Sequence, residues 1–166
     1  MILETQRLRL VEAQDSDDTF FFKLLNSPNW LEFIGNRNIH TLKDARDYIQ
    51  KSLINSYQTN GYGLYKMILK KNMKDIGICG LVKRPTLDHP DIGFAILPAF
   101  EKKGYTIEAA KGILTYAKTI LRLEKILAIT TLENTGSQRI LSKIGLTQTN
   151  SIPYQGNGET MLVYTS

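Results

Sequence analysis

Cysteine is nearly missing from this chain: Cys79 stands alone, so no internal disulfide can form, and an unpaired thiol fits a reducing compartment. Its neighbours Ile78 and Leu81 mark it as a buried strand residue. The only histidines, His40 and His89, lie far apart and far from any ligand-like spacing, so we expect no metal. Long apolar runs are missing too. The opening Met1-Ile2-Leu3-Glu4-Thr5-Gln6-Arg7 lacks the apolar core of a signal peptide, and no later stretch reaches the roughly 18 residues of a membrane span. We therefore expect a cytoplasmic protein with no membrane partner. Neither nucleotide-binding glycine loop occurs, since Gly61-Tyr62-Gly63 lacks the third glycine and no Gly-Lys-Ser/Thr follows a glycine at the required spacing.

The residues that are present suffice for one core. A chain of 166 residues with 42% hydrophobic content falls within the usual size of one domain, which we expect to span 1–166. The formal charge of +5 suits an anionic ligand, but lysines and arginines run through the whole chain, which argues against nucleic acid as a partner.

Hydrophobic period divides the chain into elements. Arg7-Leu8-Arg9-Leu10-Val11 alternates as a half-buried strand. Asp15 is placed to cap a helix carrying Phe20, Phe21, Leu24 and Leu25, which Pro28 ends, and Thr41 to cap a second that stops near Asn60-Gly61, with a loop between them. Tyr62 to Leu69 and Ile76 to Lys83 read as strands joined by the polar turn 70–75, and Ile92 to Leu97 as a third. Thr106 to Leu121 has the strongest helical stripe; Lys125 to Thr131 is a buried strand; Asn134 caps a helix closed by Gly145; Glu159 to Tyr164 is a last strand. Strands in a row followed by strand–helix alternation predict an α+β fold with a mixed sheet, antiparallel at first.

The chemistry concentrates between Asp91 and Gly145. A strand feeding Glu101-Lys102-Lys103-Gly104-Tyr105-Thr106 just before a helix aims unpaired N–H groups and the positive helix end at one point, a receptor for phosphate.

With Gly93-Phe94, Pro98, Gly104-Tyr105, Glu108-Ala109, Asn134 with Ser137, Lys143 with Gly145, and the opening Thr5-Gln6-Arg7-Leu8-Arg9-Leu10, the chain resembles the GCN5-related N-acetyltransferase (GNAT) family, and more closely its branch acting on N-termini of ribosomal proteins. The resemblance implies a mixed αβα fold, a largely antiparallel sheet with splayed central strands and flanking helices. It implies acetyl-CoA as co-substrate, a small-molecule or peptide amine as acceptor, and a homodimer as is common in that branch. Coenzyme A would be held by Ala95, Ile96, Leu97, Lys102, Lys103, Gly104, Tyr105, Thr106, Asn134 and Ser137, with a backbone N–H among Ala95 to Leu97 facing the developing oxyanion. The family's Gln/Arg-x-x-Gly-x-Gly/Ala loop is altered here, since Glu101 and Thr106 stand at its ends, and Lys102 takes a place often held by glycine. A carboxylate near pyrophosphate is unfavourable unless it turns outward or pairs with a lysine. Where many relatives carry a tyrosine acid this chain has Leu141, so Ser137, one turn earlier, is the candidate acid and Asp91 the candidate base. Asp75, Asp88 and Glu32 are the other carboxylates considered for that role. Trp30, Glu32 and Tyr154 are expected at the acceptor site, where a Glu32 facing the pocket would favour a cationic amine. The competing reading is a catalytically weak or inactive relative that serves as an acyl-CoA-binding module.

Overall fold

Leu8 and Leu10 are fully buried and the intervening Arg9 exposed, so the opening alternation becomes a strand as expected. In the computed structural model, which describes residues 1–153 and 158–166, that strand is β2 (Leu8–Val11), folded back on a two-residue β1 (Leu3–Glu4). After a 3-10 turn at Asp15–Asp17 come α1 (Asp18–Leu25), α2 (Leu42–Tyr48) and α3 (Asn55–Asn60). The first turn is capped differently from expectation: the Asp17 carboxylate accepts from the Gln14 N–H at 2.8 Å, and Asp15 instead accepts from Gln50. Thr41 caps α2 as expected, its hydroxyl accepting from the Asp44 N–H at 3.0 Å.

Two segments depart from the simple pattern. Trp30–Ile34, expected as loop, winds into a π-helical turn, and Ile49–Ile54 opens the long second helix into a π-helical stretch between α2 and α3. Such wide turns often occur at functional sites.

Then follow β3 (Leu64–Leu69), β4 (Lys74–Val82), β5 (Asp91–Ile96), α4 (Tyr105–Thr119), β6 (Leu127–Thr131), α5 (Thr135–Lys143), β7 (Thr147–Pro153) and β8 (Thr160–Thr165). β7 has no counterpart in the sequence reading, because it is an edge strand exposed on nearly every residue and carries no hydrophobic alternation. The sheet runs β1-β2-β3-β4-β5-β6-β8-β7, antiparallel throughout except between β5 and β6. This is the α+β fold with a mixed sheet.

Each face of the sheet carries its own core. Ile113, Ala110 and Ala117 of α4 pack on one face with Leu8, Met67 and Cys79; Phe21, Leu24, Ile49 and Leu53 cover the other with Ile78 and Leu97. Cys79 is therefore a core residue, as its neighbours suggested.

β5 and β6 are parallel and share a single register pair, Asp91 with Leu127, beside which the Leu127 N–H donates to the Pro90 carbonyl. Beyond that pair the strands separate. The gap they leave positions the site.

Candidate active site

The two sides of this gap have free backbone groups whose identity follows from strand geometry. The Leu97 N–H donates to the Ile76 carbonyl at 2.8 Å, which makes Ile76 and Leu97 a hydrogen-bonded pair of the β4–β5 ladder. Alternation then turns the N–H groups of Ala95 and Leu97 toward β4 and those of Phe94 and Ile96 into the gap. Among Ala95 to Leu97, where one oxyanion-facing N–H was expected, that of Ile96 is the amide turned into the gap. Leu97 is also excluded by its burial in the core and its absence from the cavity lining. The Phe94 amide, which the sequence reading did not consider, is turned the same way. On β6 the Ser166 N–H donates to the Ile126 carbonyl, so the same alternation turns the main chain of Ile129 and Thr131 toward the gap.

The gap opens into a cavity of about 990 Å³ that reaches from the Trp30 turn to the start of α5. At its far end lies the glycine loop. Lys102 has φ of +59°, a left-handed conformation that favours glycine. Gly104, with φ of +82°, is the N-cap of α4 and supplies no side-chain cap. The first intrahelical bond runs from the Glu108 N–H to the Gly104 carbonyl, leaving the N–H groups of Tyr105, Thr106 and Ile107 as the orphan donors of the helix start. Gly104, Tyr105, Thr106 and Lys102 line the cavity, but Lys103 does not; its carbonyl instead accepts from Arg7. Glu101 pairs with no lysine but accepts a hydrogen bond from the Asn29 amide, linking the loop to the Trp30 turn.

The loop is anchored from behind by the opening strands. Glu108 accepts from the Thr5 hydroxyl at 2.5 Å, the Arg7 N–H at 2.7 Å and the Arg7 Nε at 2.6 Å. Burial raises the Glu108 pKa, but these donors outweigh it and hold the carboxyl below the usual range. The same guanidinium lies 4.4 Å from the Tyr105 ring centroid. The Thr-x-Arg and Glu-Ala motifs, about a hundred residues apart, are thus one structural unit.

Asn134 caps α5, its Oδ1 accepting from the Ser137 N–H at 3.1 Å, which leaves its Nδ2 and the Ser137 hydroxyl available on the cavity wall. Leu141 is buried in the same wall and offers no proton.

At the root of the gap sits Asp91, only 1% exposed, with the Arg84 Nε 3.0 and 3.2 Å from its two oxygens. Burial pushes its carboxyl up to about 6, against the pull of the Arg84 charge and hydrogen bonds. A carboxylate so tuned is ionised at neutral pH yet basic enough to accept a proton. The pairing follows from the β4–β5 hairpin, which sets Val82 opposite Asp91 and brings Arg84 back over it. Asp75 instead pairs with the buried Lys66, and neither it nor Asp88, His40 or His89 lines the cavity.

Trp30 is 3% exposed, lines the cavity, and packs edge-on to Tyr48 with centroids 6.4 Å apart. Glu32 is exposed and lines a side hollow of about 280 Å³ with Arg37 and Arg84. Tyr154 lies outside the described residues. Among the described residues no group of His, Cys, Asp and Glu could hold a metal ion, and no helix is long and apolar enough to cross a membrane.

Residues 7–147 match the family described as the acetyltransferase (GNAT) domain, so the chain belongs to the GNAT acetyltransferases and is an N-acetyltransferase by fold and kinship. It is 26% identical over 146 residues to the uncharacterized N-acetyltransferase YoaA of Bacillus subtilis, covering 87% of this chain and 81% of that one. A GNAT-family acetyltransferase from Bacillus anthracis superposes with a TM-score of 0.82 at 23% identity, covering 99% of this chain and 96% of that one. RimL, described as a ribosomal L7/L12 alpha-N-protein acetyltransferase in complex with coenzyme A, superposes with a TM-score of 0.80 at 16% identity and covers 99% and 96%.

Proposed function

We propose that the chain transfers an acetyl group from acetyl-CoA to a primary amine, a protein N-terminus or a small-molecule amine, by direct attack on the thioester. The observation that carries this reading is the gap between β5 and β6, which ends at the uncapped start of α4 and has Asp91 at its root. Inward-facing main-chain groups of Phe94, Ile96 and Ile129 are suited to an extended amide-bearing arm, and the N–H groups after Gly104 to a pyrophosphate. Coenzyme A has both parts. The site residues fit it without a metal.

In this reading the Phe94 or Ile96 N–H stabilises the carbonyl oxygen as the amine adds, a role for which preorganised donors are worth the most. Asp91 receives the amine proton. Three steps along the strand separate it from Phe94, about 10 Å at about 3.3 Å per residue, so the proton travels by water or along the acceptor. Ser137 faces the leaving sulfur, whose modest basicity asks little of an acid. The likeness to RimL supports a protein N-terminus as acceptor.

Thermal stabilisation by acetyl-CoA but not by ATP, followed by thiol release with a panel of amines, tests the proposal. Stabilisation without thiol release for any amine would leave an acyl-CoA-binding module, and absence of stabilisation would remove both.

A further inference from the structure

Helix α4 contains three threonines, and two of them satisfy their own hydroxyls. Thr115 donates to the Lys111 carbonyl at 3.1 Å and Thr119 to the Thr115 carbonyl at 2.8 Å, each reaching back one turn of the helix. Thr106 does not. It is the second residue of α4, so the residue four places back is Lys102, which lies outside the helix in a left-handed conformation. Thr106 is only 8% exposed, yet its hydroxyl forms no hydrogen bond among the described residues. Among those residues three side-chain atoms are both unpartnered and sealed from solvent, Trp30 Nε1, Thr130 Oγ1 and Thr131 Oγ1. Thr106 Oγ1 is not one of them, so the hydroxyl of an otherwise buried side chain opens onto the cavity that Thr106 lines.

The direction of that hydroxyl follows from helix geometry. Side chains in a helix lean toward its N-terminus, which brings this oxygen to the end where the N–H groups of Tyr105, Thr106 and Ile107 stand without acceptors. The carboxylates in and beside the turn are engaged elsewhere: Glu101 accepts from the Asn29 amide, and Glu108 from Thr5 and Arg7. Main-chain donors, a side-chain donor and the positive end of a 15-residue helix thus meet at one wall of the cavity with no protein acceptor among them. An unpaired polar group in so buried a side chain calls for a partner, and here the partner is a ligand.

Resting on the proposed transferase reading, we infer that the Thr106 hydroxyl donates to the pyrophosphate of coenzyme A, beside the main-chain N–H groups that follow Gly104. The family's loop has glycine or alanine at this place, so the resemblance gives no side chain this role. The threonine that departs from the loop pattern adds a charge-assisted hydrogen bond that neither glycine nor alanine can make.

The test is titration calorimetry of the full chain with coenzyme A and with dephospho-coenzyme A, which keeps the pyrophosphate but lacks the 3′-phosphate. Thr106→Val keeps the shape and removes the donor, Thr106→Ala removes both, and Thr106→Ser restores the donor alone. The Kd for coenzyme A should rise about tenfold in the valine and alanine variants and by less than about threefold in the serine variant. The same losses should appear with dephospho-coenzyme A. A loss below about threefold in either the valine or the alanine variant would overturn the inference, and tighter binding by Thr106→Ala would show the side chain to be an obstruction. An equal loss in Thr106→Ser, or a loss confined to coenzyme A, would overturn it as well, since the hydroxyl would then not be reading the pyrophosphate. Melting of the ligand-free variants reports their folding, and if the valine variant does not fold, the contrast between serine and alanine decides. A wild-type chain that binds neither ligand would overturn the transferase reading beneath the inference, whereas wild-type binding that the variants leave unchanged would overturn the inference alone.

Discussion

The two ends of the cavity are built from different materials. In the proposed reading the working groups at the coenzyme end are main-chain amides, those of Phe94, Ile96 and the start of α4 after Gly104, whereas the other end is walled by side chains such as Tyr48, Arg84 and Asp91. Amides are supplied by any sequence that folds into the right turn, so a coenzyme end of this kind would accommodate Glu101 and Thr106. Side chains are specific to each chain, so in this reading selectivity would lie at the acceptor end.

Substitutions can separate the two ends, and the largest effect is expected at Asp91. Asp91→Asn should lower kcat/KM at pH 8 by about 100-fold, within the range of general-base catalysis, while the acetyl-CoA KM stays within about twofold. The wild-type profile should rise with pH through about 6, where the folded Asp91 titrates, and the variant should lose that limb. The sign for stability is opposite. Because the folded protein holds this proton more tightly than the unfolded chain, whose Asp titrates near 3.9, Asp91 makes stability fall as pH rises between about 4 and about 6. Melting temperature against pH should flatten in Asp91→Asn.

An intermediate effect is expected behind the glycine loop. Glu108→Gln keeps the shape but weakens three charge-assisted bonds at a partly exposed site, which should lower stability by about 1–2 kcal/mol and leave kcat nearly unchanged, as denaturant melts and steady-state kinetics can check. A large kcat loss would mean the loop is not merely held there but aligned.

The smallest effect belongs to Ser137→Ala. With a thiolate as leaving group, kcat should fall by less than about tenfold and acetyl-CoA affinity should hold. An unchanged rate would remove Ser137 from the mechanism.

The same difference in materials explains what could be read in advance. Gly104, Asn134 and Gly145 occupy backbone positions with local causes, a left-handed cap or an N-cap bond, and local causes leave local marks in sequence. Asp91 was found through its position at the head of a strand. Its partner Arg84 was passed over, because their contact depends on how a hairpin closes and no spacing rule announces it. The π-helical segments Trp30–Ile34 and Ile49–Ile54, which line part of the same cavity, are invisible to a 3.6-residue period. The amide turned into the gap could not be singled out among Ala95 to Leu97 for a related reason: which amide faces outward is set by the register with β4, not by β5 itself.

The bond between the Arg7 N–H and Glu108 spans 101 positions of chain. During synthesis the Gly104 turn therefore cannot be braced until the first strand, made long before, has closed onto a helix that emerges late, and closing so long a loop carries an entropic cost that only the assembled sheet repays. In the proposed reading, coenzyme A affinity would double as a measure of complete assembly, since a chain shortened at its beginning would lose the brace while keeping the Gly104 turn.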